Sequence, residues 1–272
     1  MAPRTEEKQL RVADFMSSPV VSVSSETNFV RAIQLLVGKR IGNVVVIDNE
    51  KKVSGIITER EMLQYLVLNK VIPNKQVKYI LTRNFERIEP DTSVLEAART
   101  MIRRKTRLLV FQKHKVTKRI ADRLIGIITA SDLVRAFLET DKNPQLEGAM
   151  TNKIVTVHPN NTILNAAKLM FKKRIGSVIV TADGSPYGIF TERDLLNKVI
   201  GQGVDIDEKI GQYSSFPVVT AKVGIAANEA ARLMFAHKIK RLPLTKRERV
   251  VAMVTARDLV EAFQRERTSR SR

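Results

Sequence analysis

A threonine followed three residues later by a carboxylate occurs four times in this chain: Thr58-Glu59-Arg60-Glu61, Thr129-Ala130-Ser131-Asp132, Thr191-Glu192-Arg193-Asp194 and Thr255-Ala256-Arg257-Asp258. Two kinds of chemistry fit that spacing. In a capping box, the threonine hydroxyl accepts from the backbone N–H three residues on, and the carboxylate accepts from the threonine amide. The same helix start presents unpaired N–H groups and about half a positive charge, which suits a phosphate. A carboxylate there can also accept from two vicinal hydroxyls. One copy alone favours the cap. Four copies in order favour a repeated site.

The elements that position these residues recur with them. Each motif follows a strand-like run, Gly55-Ile56-Ile57, Gly126-Ile127-Ile128, Gly188-Ile189-Phe190 or Ala252-Met253-Val254, and opens a helix. The chain is therefore an internal repeat. In the first repeat, an opening segment at 12–16 leads to a strand at 20–23. A helix with apolar Ala32, Ile33, Leu35 and Leu36 then ends at Gly38, followed by a strand at 44–47, a turn at 48–50, a strand reaching Thr58 and a helix over 59–68. The order is β-α-β-β-α.

The second repeat opens at 77–81, with a helix over 93–104 and a strand at 107–111. An insertion at 112–123 lengthens the hairpin; dense in positive charge, it is read either as a mobile loop facing a polyanion or simply as a solvated hairpin tip. Its signature helix ends near Glu139, and residues 140–144 form the linker between modules. The third repeat opens at 146–150 and aligns with the first, Lys39-Arg40-Ile41-Gly42 matching Lys173-Arg174-Ile175-Gly176. The fourth aligns with the second, Asp132-Leu133-Val134 matching Asp258-Leu259-Val260. This A-B-A-B pattern makes the pair of repeats the physical unit. Expected boundaries are a tail over 1–11, repeats at 12–72, 77–140, 146–204 and 209–265, and a fraying basic tail over 266–272.

Composition narrows the function. The chain has 272 residues, 43% apolar, and no cysteine, so disulfides and thiolate metal sites are excluded. No apolar run reaches the length of a membrane span and the N-terminus lacks a secretory segment, so a cytoplasmic protein is expected. Net charge is +19 and the isoelectric point near 10.3. Such a chain attracts polyanions through a salt-sensitive field, or carries a densely solvated surface. Aromatic content of 5% and the lack of tryptophan disfavour a platform for stacking single-stranded bases. His114, His158 and His237 are scattered, with no metal spacing, and read as surface or structural; His237, beside Lys238, could assist a phosphate. No catalytic triad or P-loop is visible, so neither a catalytic nor a metal site is expected. Met101, Met170 and Met234 fall at helical spacing and are assigned to the core. Gly42 and Gly176 let the chain turn closely between helix and strand.

The four small-apolar-apolar-Thr-x-x-Asp motifs, with their upstream helices and strands, resemble those of a protein of four tandem CBS (cystathionine-β-synthase) domains, over residues 10–265. The resemblance implies an α+β fold of four repeats paired into two modules, which stack as a disc within one chain or by dimerising. It also implies a non-enzymatic regulatory protein that binds AMP, ADP or ATP between paired repeats and signals to a protein partner or to its oligomeric state. No cofactor is obligatory.

In that family the motif Asp holds ribose hydroxyls, while the motif Thr and a Ser/Thr on the first strand assist. Carried over, the third repeat supplies Thr156, Thr191 and Asp194, and the fourth Thr220, Thr255 and Asp258. The first supplies Ser22 and Thr58 but has Glu61 for Asp. The second keeps Thr129 and Asp132 but has Arg87 at the Ser/Thr position. The sites therefore rank third, fourth, first, second. Arg60, Arg193 and Arg257, which precede their motif acids, and Arg174 and Arg241, which precede the second strands, favour phosphates over the cationic sulfonium of S-adenosylmethionine. The alternative is a nucleic-acid-associated protein that uses the fold as a scaffold and its basic surface for phosphate contacts.

Overall fold

The computed structural model describes residues 9–70, 74–116, 119–182 and 185–269. Each repeat is a three-stranded sheet whose first strand lies parallel, and third antiparallel, to the middle one. The first repeat consists of α1 (Val12–Phe15), β1 (Ser22–Ser24), α2 (Phe29–Lys39), β2 (Asn43–Ile47), β3 (Val53–Thr58) and α3 (Glu59–Asn69). The second has β4 (Phe85–Ile88), α4 (Val94–Arg104), β5 (Arg107–Val116), β6 (Arg119–Ile128) and α5 (Ala130–Phe137). The third has β7 (Thr156–Val157), α6 (Ile163–Lys173), β8 (Ser177–Thr181), β9 (Pro186–Thr191) and α7 (Glu192–Asp194), which continues through a wide π turn at Leu195–Val199. The fourth has β10 (Ala221–Lys222), α8 (Ala227–Ala236), β11 (Arg241–Lys246), β12 (Arg249–Thr255) and α9 (Ala256–Ser269). The helix α9 runs into the stretch read as a fraying tail.

One pattern makes the first helix of every repeat. Phe29, Ala32, Ile33 and Leu36 are buried on α2, and Val94, Ala97, Ala98 and Met101 on α4. Ile163, Ala166, Ala167 and Met170 are buried on α6, and Ala227, Ala230, Ala231 and Met234 on α8. The spacing i, i+3, i+4, i+7 is a single helical stripe. Asn28, Ser93 and Thr162 cap three of these helices, accepting from backbone N–H groups at 2.8, 3.2 and 3.1 Å.

One sequence expectation is corrected here. Gly38 does not end α2; it lies inside it. The reversal falls on Arg40 (φ 54°), and likewise on Lys105 (51°), Arg174 (56°) and Lys238 (55°). The N–H of the following Ile41, Thr106, Ile175 and Ile239 donates back to Leu36, Met101, Met170 and Met234, closing a Schellman turn at all four helix ends. Glycine would be the less strained choice, by roughly 1–2 kcal/mol, but a cation is favourable against the negative end of the helix dipole. The basic insertion lengthens the hairpin. Strands β5 and β6 extend through it, pairing His114 with Ala121 and Val116 with Arg119. Residues 117 and 118 lie outside the described residues.

The repeats close into a ring. Repeats 1 and 2 meet sheet to sheet through Val45, Ile56, Leu109, Phe111 and Ile127. The helices of repeat 1 share one core with those of repeat 3, and those of repeat 2 share another with repeat 4. Phe137 of α5 and Phe263 of α9 stack at 5.0 Å in the second of these. Repeats 3 and 4 are joined by two-way backbone bridges, Ser215–Ile189 and Thr151–Met253. Each opening segment crosses to the partner repeat: Val12 and Phe15 are buried in the core of repeats 2 and 4, and Val77 in that of repeats 1 and 3. Leu146 and Ile210 do the same in the second module. Among the described residues no helix is long and apolar enough to cross a membrane.

A Cβ on Gly38 would meet nothing within 4 Å. Gly38→Ala should therefore stabilise the protein by about 0.5–1 kcal/mol, the helical cost of glycine. A rise in the urea midpoint at constant slope checks this.

Candidate functional site

All four motifs form the cap. The amides of Thr58, Thr129, Thr191 and Thr255 donate to Glu61, Asp132, Asp194 and Asp258 at 3.0, 2.8, 2.9 and 2.8 Å. The hydroxyls of Thr129, Thr191 and Thr255 donate to the same carboxylate oxygens at 2.7, 2.7 and 2.8 Å, and that of Thr58 contacts Glu61 in the same way. What separates the repeats is the other carboxylate oxygen. In repeat 3, Asp194 Oδ1 accepts from Ser215 Oγ at 2.8 Å and pairs with Lys198 Nζ at 2.9 Å. In repeat 2, Asp132 Oδ1 lies 3.9 Å from Arg135. In repeat 4, burial pushes the Asp258 carboxyl above the usual carboxylate range, against the hydrogen bonds from Thr255 that lower it. Asp194, ranked first from sequence, is thus the most heavily engaged of the four acids.

Ser215 belongs to the opening segment of repeat 4, so the Asp194 site is built by two repeats. Ser17, Thr82, Thr151 and Ser215 occupy equivalent places, each bridged to the residue two before a motif threonine of the partner repeat. Sequence reasoning missed them. The available signal was a recurring apolar-hydroxyl opening: Met16-Ser17, Leu81-Thr82, Met150-Thr151 and Tyr213-Ser214-Ser215.

The two modules differ at the faces where their sheets meet. In the first module, Phe111 and Leu109 fill that face, and the Arg87 guanidinium lies 3.9 Å from the Phe111 ring centre while pairing with Asp122 at 2.6 Å. At the Ser/Thr position, repeat 2 thus has a side chain packed into its own hairpin. In the second module the register places Pro243 and Thr245 where Leu109 and Phe111 stand. Tyr187, the unpaired residue at the register shift in β9, is half exposed and stacks on exposed Phe216 at 6.0 Å. Thr156 lines an open cleft of about 680 Å³ with His158, Asn165, Lys168, Lys172 and Thr181. Thr181 Oγ1 is buried there without a hydrogen-bond partner. Ser22 is exposed on β1, and Thr220 is half-buried just before β10.

The arginines read as phosphate ligands have protein partners. Arg60 pairs with Glu192 at 2.9 Å and donates to the Arg174 carbonyl at 3.4 Å; Arg193 pairs with Glu59 at 3.0 Å. Arg241 pairs with Glu192 at 3.1 Å, and Arg257 donates to the Met101 carbonyl at 2.7 Å. Arg174 contributes its backbone and the left-handed turn, and its side chain is exposed. The roles of Gly42 and Gly176 are also clearer: a Cβ on Gly176 would lie 1.7 Å from the Arg241 guanidinium, and one on Gly42 3.0 Å from Lys240 Nζ. These glycines make room for two cations from repeat 4. Burial holds the Lys240 ammonium below the usual lysine value. Among the described residues no group of His, Asp or Glu is assembled to hold a metal.

Two outcomes follow. Gly176→Ala should expel Arg241 from Glu192 and cost roughly 1–3 kcal/mol, the range for overpacking, as measured by chemical unfolding. A raised carboxyl binds its proton more tightly in the folded state, so Asp258 adds stability below the normal aspartate range and loses it as pH rises through the raised value. Wild type should therefore lose ground to Asp258→Asn in unfolding titrations as pH is raised from about 4 to 7.

The CBS domain model matches residues 12–68, 77–139, 146–201 and 210–265. The CBS domain-containing protein YhcV of Bacillus subtilis is 32% identical over 114 residues, 42% of this chain and 81% of that protein. Protein MJ1404 of Methanocaldococcus jannaschii is 24% identical over 268 residues, and the match spans 92% of this chain but only 61% of the relative. The crystal structure of MJ1225 from the same organism superposes with a TM-score of 0.79 at 20% identity, over 93% of this chain and all of that one. Four consecutive matches, each carrying its own capped Thr-x-x-acid helix and its own three-stranded sheet, place this chain in the CBS-domain family.

Proposed function

We propose that the protein is a non-catalytic regulatory sensor that binds an adenine nucleotide, AMP, ADP or ATP, in the clefts of its second module. The observation that carries this reading is the combination at repeat 3. A buried carboxylate at a helix start, shared with Ser215 and Lys198, lies at one end of a bridge whose neighbours are the exposed Tyr187–Phe216 pair. The carboxylate suits ribose hydroxyls, Lys198 a phosphate, and the aromatic pair a purine face. Repeat 4 offers Asp258 with the same threonine cap from Thr255, and Thr220 just before its first strand. The first module is the weaker binder, because Arg87 and Phe111 occupy the face that a base would need. MJ1225, which shares the fold, has been proposed as an archaeal homologue of γ-AMPK, a relationship in keeping with this reading.

Nucleotide occupancy would shift the contacts between modules, and the output would pass to a protein partner or to self-association, a homodimer being the simplest form. S-adenosylmethionine is disfavoured because its sulfonium would sit among cations. A second reading, phosphate-backbone contact with duplex nucleic acid, draws on the net charge of +19.

Calorimetric titration tests the first reading. AMP or ATP should bind saturably at near-physiological salt, and Asp258→Ala should weaken binding about 10- to 100-fold, as expected for lost hydrogen bonds to a charged group. Asp194→Ala should act in the same direction. Retention of full affinity in the double variant would remove the second module as the site. Absence of adenine-nucleotide binding, with duplex binding that falls steeply as salt rises, would favour the nucleic-acid reading.

A further inference from the structure

The second oxygen of the Asp194 carboxylate is already occupied. Its Oδ2 takes the cap, from the Thr191 amide at 2.9 Å and hydroxyl at 2.7 Å. Its Oδ1 accepts from Ser215 Oγ at 2.8 Å and pairs with Lys198 Nζ at 2.9 Å, and Lys198 Nζ also donates to Ser215 Oγ at 2.9 Å. The three groups close a triangle. Lys198 stands in the wide π turn at Leu195–Val199, where the motif helices α3, α5 and α9 stay α-helical. A π turn inside a helix frequently marks a functional position. The residue four places after the motif acid is Tyr65, Ala136 or Ala262 in the other repeats, so the cation belongs to repeat 3 alone. In repeat 2 the nearest counterpart, Arg135, stands 3.9 Å from Asp132. The Asp194 side chain is 9% exposed and that of Lys198 35%, so the carboxylate is enclosed while the ammonium has a way out to solvent.

A ribose offers a carboxylate two neighbouring O–H donors. Ser215 and Lys198 offer Asp194 Oδ1 one O–H and one N–H donor in their place, so the repeat 3 cleft carries an internal substitute for the sugar. We propose that Lys198 is a selectivity latch: it holds Asp194 until a ligand supplies both the ribose hydroxyls that replace it and a phosphate that receives it. The latch rests on the nucleotide reading of the second module and deepens it, because it decides which adenine ligands open repeat 3. A nucleoside must break the ion pair and leave the ammonium with water alone. A nucleotide gives the ammonium a phosphate, a charge-assisted partner that its flexible stem can follow. Each group keeps a partner through the exchange. Asp194 passes from two internal donors to two ribose hydroxyls while its Oδ2 stays capped. The half-buried Ser215 hydroxyl, which both donates and accepts, turns to the sugar oxygens. Because Ser215 belongs to the opening segment of repeat 4, opening the latch also alters a tie between the two repeats of the module.

The test is calorimetric titration of AMP and of adenosine, at near-physiological salt, into the full chain carrying Asp258→Ala, which removes the carboxylate of repeat 4 and leaves repeat 3 to be read. AMP should bind at least about tenfold more tightly than adenosine. Lys198→Met, added to this background, keeps an apolar stem and removes the ammonium. Adenosine should then bind about threefold more tightly, the scale of a partly exposed ion pair. AMP should bind about threefold or more less tightly, so the ratio between the two falls by about tenfold. Loss of positive charge alone would leave neutral adenosine where it was. Thermal unfolding establishes that the variants fold, and Asp258→Asn or Lys198→Gln stands in for one that does not. Adenosine affinity unchanged or weakened in a folded Lys198 variant overturns the latch and leaves the cleft reading standing. AMP binding that is present in the unsubstituted chain but lost with Asp258→Ala overturns it too, by placing the site in repeat 4 alone. Absence of AMP binding in the unsubstituted chain is the failure of the cleft reading itself, and the latch falls with it.

Discussion

A three-stranded sheet backed by two helices has an apolar surface on each side and can cover only one of them by itself. That constraint organises the whole molecule. Burying about 25 cal/mol of favourable free energy per Å² of apolar surface gives each repeat a reason to find two partners, one for its sheet and one for its helices. Val45, Ile56, Leu109, Phe111 and Ile127 satisfy the first need between repeats 1 and 2, and the helix stripes satisfy the second between repeats 1 and 3 and between repeats 2 and 4. The crossing of each opening segment to the neighbouring repeat then ties the pair together through backbone bonds that neither repeat could make alone. Four repeats with two partners each make a closed ring, and a closed ring has a centre.

The centre is where the physics becomes costly. Glu59 and Glu192 are nearly buried, and a buried carboxylate is tolerated only with a partner. The reciprocal arrangement meets this requirement twice, because the two motifs are related by approximate symmetry and each carries Glu-Arg in the same place. Repeat 4 then crowds Lys240 and Arg241 into the space that Gly42 and Gly176 leave, so positive charge exceeds negative. A fold stabilised by hydrophobic burial alone would not need this excess.

Much of this was legible in the sequence, for identifiable reasons. The strands, the helix stripes and the four motifs repeat with internal spacing, so each copy supports the reading of the others, and the core methionines follow from the same periodicity. Gly38 misled because glycine commonly ends a helix, whereas here Arg40 takes the left-handed turn and so does a cation in every other repeat. The insertion was legible as a longer hairpin, and its ladder continues through His114 and Val116 because strand pairing needs only backbone groups. The hydroxyl residues Ser17, Thr82, Thr151 and Ser215 were hidden for a different reason. They lie far in sequence from the motifs they serve, and only the crossing of the opening segments brings them there.

The two modules carry nearly the same elements yet present different surfaces, and the difference comes down to a few side chains. In the first module, Arg87 lies against Phe111 and pairs with Asp122, so a hairpin lengthened by a basic insertion seals its own sheet face. In the second, proline and threonine replace leucine and phenylalanine, Thr181 keeps a buried hydroxyl without a partner, and Tyr187 and Phe216 stay exposed. A duplicated unit that needed only to be stable would favour the filled version in both halves, since apolar filling is worth more than an exposed aromatic pair. That one half is filled and the other left open distinguishes the modules: the first seals its sheet face, and the second keeps the open face on which the proposed nucleotide cleft rests.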